Sequence, residues 1–101
     1  MESYDKLVRD NIPAILDEKG VKYEQRIASL EEYRVELVRK LEEEVKEFLA
    51  SNVPEELADV IEVIEAIKLL PEYQLVETIR QDKKRERGGF EKRLILKGQK
   101  D

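Results

Sequence analysis

Cysteine, histidine and tryptophan are absent from this chain of 101 residues. Without cysteine there is no disulfide framework and no thiol nucleophile, and without either cysteine or histidine the usual zinc sites and imidazole bases are excluded. Aromatic residues make up only 6%, and no apolar run approaches the ~18 residues of a membrane span. The N-terminus lacks the basic-then-apolar order of a secretion signal, so a cytoplasmic location is expected. Chemistry, if present, must come from carboxylates, lysine, arginine, tyrosine or a bound metal.

What the chain does have is charge. Charged residues reach 43%, with 24 acidic against 19 basic and a net charge of -5, well above the roughly 25% of ordinary domains. A mildly acidic balance argues against a stable nucleic-acid partner. Leu, Ile and Val recur throughout, which argues against disorder, and the length suits one domain over 1–101. A core of that size is small, and oligomerisation is a natural way to enlarge it.

The expected fold is mainly α. Pro13 and Gly20 bracket a short helix with Ile12, Ile15 and Leu16. Ser29 followed by Glu32 has the capping-box spacing and predicts a long helix to about Ala50. Asn52 and Glu55 repeat the spacing, with Pro54 in the first turn, and predict a second helix to about Leu70. A third helix is expected from about Glu72 to the stop at Gly88-Gly89. The stretches 22–27 and 90–96 are open between loop and a short two-stranded β element.

Four carboxylates stand in mirror order across the predicted hairpin: Glu44 and Glu47, then Glu56 and Asp59. At about 100° per residue, Leu30, Leu37, Leu41, Val45 and Phe48 share one arc. Glu44 falls inside it, Glu47 on its shoulder, and Glu43 points away. On the next helix Glu56 falls inside the arc of Leu57, Val60, Ile61, Ile64 and Ile67, with Asp59 on its shoulder. Each i,i+3 pair shares one helix surface, and antiparallel packing sets Glu47 opposite Glu56 and Glu44 opposite Asp59. Acidic pairs also arise on solvated helices, but the mirrored placement inside two apolar arcs favours a site. Converging carboxylates repel and resist desolvation unless a cation joins them. An all-oxygen set on two helices fits Mg²⁺ or Mn²⁺ acting on phosphate.

At LEEEVKEF (41–48) and EELAD (55–59) the chain resembles the MazG-like and phosphoribosyl-ATP pyrophosphohydrolase-like branch of the all-α nucleoside triphosphate pyrophosphatase superfamily. Glu43, Glu44 and Glu47 meet its EExxE pattern, and Glu56 and Asp59 its ExxD. KLVRDNIP (6–13) and RGGFEKRLIL (87–96) resemble the ends of a small MazG-like subgroup. The resemblance implies Mg²⁺-dependent hydrolysis of a nucleotide between its α and β phosphates, giving a monophosphate and pyrophosphate. It implies Glu44, Glu47, Glu56 and Asp59 as ligands, with Glu44 and Glu43 serving the chemistry, Glu43 as a water-orienting or outer group. It also implies a homodimer or homotetramer whose hairpins form a four-helix bundle.

Lys83 and Arg87, one turn apart, match the family's downstream basic positions and could hold phosphates; their plainer reading is favourable charge at a helix C-terminus. Lys6, Arg9 and Asp10 are further candidates, against a surface ion-pair role, and Tyr4 or Phe90 could stack on a base. Two alternatives stand beside the pyrophosphatase. One is a non-catalytic helical interaction module; the other is phosphoribosyl-ATP hydrolysis in histidine biosynthesis, for which the KLVRDNIP start is unexpected.

Overall fold

Ser29, extended at φ -63° and ψ 161°, starts the longest helix by accepting a hydrogen bond from the Glu32 N–H at 3.2 Å. The computed structural model describes residues 5–99, so Tyr4 lies outside the described residues. In chain order the helices are α1 (Ile12–Glu18), α2 (Leu30–Ser51), α3 (Pro54–Lys68) and α4 (Val76–Arg87), with a 3-10 turn at Pro71–Tyr73 before α4. The fold is mainly α. Only half of the expected capping box forms at Ser29, because the Glu32 carboxylate turns to Arg26, which donates to it at 2.5 and 2.7 Å.

Asn52 does not cap α3, contrary to expectation. It closes α2 instead, in the left-handed region at φ 57° and ψ 26°, with its N–H on the Phe48 carbonyl; Val53 is the residue before α3, and Pro54 opens it. The reason is the length of the turn. With two residues between the helices, one must reverse the chain, and asparagine tolerates the left-handed region better than most. Asn52→Ala is therefore expected to cost about 1 kcal/mol in urea-induced unfolding, whereas Asn52→Gly should match or exceed the parent.

α3 also ends earlier than its pattern suggests, at Lys68, since Pro71 can neither donate to the helix nor let the residue before it remain helical. The chain breaks into the 3-10 turn, and α4 begins at Val76 rather than near Glu72. Gly88, at φ 83°, ends α4 where the glycine pair was expected to. The stretches 22–27 and 90–96 run without regular secondary structure and do not pair in the single chain.

α2 and α3 pack as an antiparallel hairpin around Leu37, Val63 and Leu70, with Leu7, Tyr33, Leu41, Ala66 and Ile67 against them. Leu7 thus fastens the irregular lead-in to the hairpin. α4 is tied back by Lys68 donating to Glu77 at 3.2 Å, but its residues are almost all exposed. The molecule measures 56 × 32 × 26 Å with a radius of gyration of 18.3 Å, against about 13 Å for a compact chain of this length. Much apolar surface stays open, including Val35, Val38 and Leu49 on α2 and Leu57, Ile61 and Ile64 on α3. No helix of the described residues is long and apolar enough to cross a membrane.

Candidate metal centre

Glu44 is the charged side chain buried in the hairpin, at 7% exposure. Its place follows from the sequence: a glutamate in the apolar arc of α2 must enter the seam with α3. There it meets Glu56 and Asp59 from the first turns of α3, and one carboxylate oxygen from each of the three lies within 4.8 Å of the others. Glu56 and Asp59 are half-buried.

The two oxygens of Glu44 differ. Oε1 is 3.3 Å from Lys40 Nζ, one turn back on α2. Oε2 is buried with no hydrogen-bond partner. An unpaired buried carboxylate oxygen is costly, and here it belongs to the group at the centre of an acidic cluster. Burial pushes the Glu44 carboxyl above its ordinary range; the Lys40 ammonium opposes this, and the neighbouring Glu47 charge adds to the rise. A hard cation supplies what Oε2 lacks, and the all-oxygen donor set fits one. Glu47 itself is exposed and outside the three-oxygen cluster, near enough to Glu44 to act on it through charge.

The lead-in contributes more than its composition suggested. Arg9 donates to Asp59 Oδ1 at 2.7 Å, and Lys6 to Glu43 Oε1 at 3.1 Å. Glu43, expected to point into solvent, is half-buried and shared between Lys6 and Lys40, the latter at 3.6 Å. The Lys6 hydrogen bond, aided by the Lys40 charge and opposed by burial, keeps the Glu43 carboxyl below its usual range. Between the lead-in, α1 and the hairpin lies an open cleft of about 410 Å³, walled by Val8, Ile12 and Leu16 and edged by Lys6, Arg9, Lys40, Glu44 and Asp59. Directly paired cations and carboxylates therefore edge an apolar floor.

Lys40 escaped the sequence reading, although its i,i+4 spacing to Glu44 was a usable signal. Lys83 and Arg87 lie exposed on α4 and do not line the cleft; Asp10 and Phe90 are exposed as well. The structure thus brings Glu43, Glu44, Glu56, Asp59, Lys6 and Arg9 around one place and leaves the α4 pair apart.

No protein-family model, curated protein or solved structure matches the chain.

Proposed function

We propose that the chain is a Mg²⁺-dependent nucleoside triphosphate pyrophosphohydrolase, Mn²⁺ being an alternative ion, that cleaves between the α and β phosphates to leave a monophosphate and pyrophosphate and serves to clear non-canonical nucleotides. The observation that carries this reading is the buried, unpartnered Oε2 of Glu44, in a carboxylate that clusters with those of Glu56 and Asp59. The same residues carry the resemblance to MazG-like enzymes.

Glu44, Glu56 and Asp59 would hold the ion, with Glu47 in reach as a fourth carboxylate. When bound, such an ion neutralises phosphate charge and acidifies an attacking water. Glu43, kept ionised by Lys6 and Lys40, would orient such a water. Lys6, Arg9 and Lys40 face the phosphates, and the apolar floor accepts the remainder of the nucleotide. Lys83 and Arg87 would reach a phosphate only from a neighbouring copy. A homodimer or homotetramer with hairpins joined in a four-helix bundle would cover the open Leu57, Ile61 and Ile64 of α3.

The purified protein, given Mg²⁺ and a panel of canonical and modified triphosphates, should release pyrophosphate and the matching monophosphate from at least one. If none is cleaved, and metal titration cannot tell the parent from a variant with Glu44→Gln, Glu56→Gln and Asp59→Asn, the reading fails. Arg9 offers a finer test, since it competes for Asp59 with the ion. Arg9→Ala should tighten metal binding severalfold while raising KM for the nucleotide, each change being on the order of the 0–1 kcal/mol of an exposed ion pair.

One observation favours the interaction-module reading. Arg9 and Lys40 pair with Asp59 and Glu44, so part of the cluster's charge is offset within the chain itself. That reading predicts partner binding that weakens with salt and ignores divalent ions.

A further inference from the structure

The end of the chain has the opposite character to its hairpin. Residues 87–97 hold four lysines and arginines against one acid, whereas α2, with seven acids against four basic residues, carries the opposite net charge. Beyond Gly88 the stretch is also apolar and uncovered: Phe90 is 97% exposed, Ile95 93%, and Leu94 and Leu96 are open too. The segment turns at 90–93, where the Arg93 N–H donates to the Phe90 carbonyl at 3.1 Å, and four large apolar side chains left in water are not a stable resting arrangement.

A receiving surface of matching chemistry lies on the flank of α2 away from the acidic centre. Glu31, Val35, Val38, Glu42 and Leu49 share this face by helical position, and all are exposed. Val35 and Val38 form, with Tyr73, an open apolar groove of about 390 Å³ between α2 and the 3-10 turn. Arg34 and Arg39 on its rim are already neutralised, by Glu72 and Glu36 respectively. Glu42 is shared with Lys46 at 2.9 Å and remains open to water.

We propose that residues 87–97 form an exchange arm that docks on the α2 flank of a second copy of this chain, with Phe90, Leu94, Ile95 and Leu96 against Val35, Val38 and Leu49. Lys92 and Arg93 then meet Glu31 and Glu42 of the other copy. Opposite net charge on the two surfaces selects this pairing over arm against arm or hairpin against hairpin. The apolar side chains of the arm are exposed in the single chain, so they are free to meet the groove of another copy. This interface does not depend on the metal reading, because Glu44, Glu56 and Asp59 take no part in it.

The test uses full-length variants in sedimentation velocity. Phe90→Ser, Leu94→Ser and Ile95→Ser together should weaken self-association about tenfold or more, with helix content by circular dichroism unchanged because these side chains are exposed in the single chain. Lys92→Glu with Arg93→Glu, and separately Glu31→Lys with Glu42→Lys, should each weaken it, and mixing the two charge-reversed proteins should restore association as a mixed species. Divalent-ion titration of the serine variant should match the parent, which separates this result from the fate of the metal reading. The proposal is overturned by a parent that stays monomeric, including one compacted by its own arm. It is equally overturned by association indifferent to the arm, or by charge-reversed proteins that fail to rescue one another.

Discussion

Glu44→Gln is expected to lower divalent-ion affinity by about a hundredfold or more and to abolish nucleotide cleavage, read by calorimetric titration and pyrophosphate release. Its effect on metal-free stability should have the opposite sign. The Glu44 carboxyl is raised above its ordinary value, first by burial and then by Glu47, with Lys40 only partly offsetting. A group raised on folding binds its proton more tightly in the native state, so stability falls as pH climbs from the ordinary carboxylate value through the raised one. Above the raised value the full penalty is in place. Glutamine removes it, so the metal-free variant should melt higher than the parent at pH 7, and the gap should close in acid where Glu44 is protonated. Saturating Mg²⁺ should then raise the melting temperature of the parent and leave the variant unmoved. A variant that loses stability at neutral pH without metal would mean that the Lys40 pair outweighs burial.

Leu37→Ala should produce the largest loss of stability from a single truncation, about 3 kcal/mol by urea-induced unfolding. Leu37 is 3% exposed and stands at the centre of the cluster with Val63 and Leu70. Few side chains are buried as deeply, so the cavity has little around it that can close the gap. A small domain has about 5 kcal/mol in total, and such a loss leaves about 2 kcal/mol, raising the unfolded fraction on the order of a hundredfold. Ile61→Ala is the control: at 49% exposure it should cost under about 1 kcal/mol in the single chain. A larger cost that grows with protein concentration would show that Ile61 is covered in an assembly.

The hairpin was legible because both of its helices carry strong apolar periodicity, and that periodicity also placed Glu44 inside the packing face. Helical phase could not rank the flanking acids. Glu47 and Asp59 both fell on shoulders, yet Asp59 joins the cluster while Glu47 stays exposed, a distinction set by how the helices meet. The lead-in was harder to read, since an irregular segment has no period to project. Nothing in 5–11 announced that the packing of Leu7 would set Lys6 on Glu43 and Arg9 on Asp59. Asn52 shows a different limit. The same residue type suits either end of a helix, and only the two-residue spacing decides which end it serves. α4 was expected from its charged helix formers and its glycine stop; what its sequence lacked was an apolar stripe strong enough to hold it against the hairpin.

The turn at Asn52 and Val53 acts as a phase key for the acidic centre. A single residue inserted there would change the direction and phase at which the chain enters α3, and Ile61 and Ile64 could still supply an apolar contact. Glu56 and Asp59 would swing off Glu44 while the helix content barely changed. The register of three oxygens is therefore written into the backbone before any ion arrives, and a chain of altered turn length could fold and be blind to metal.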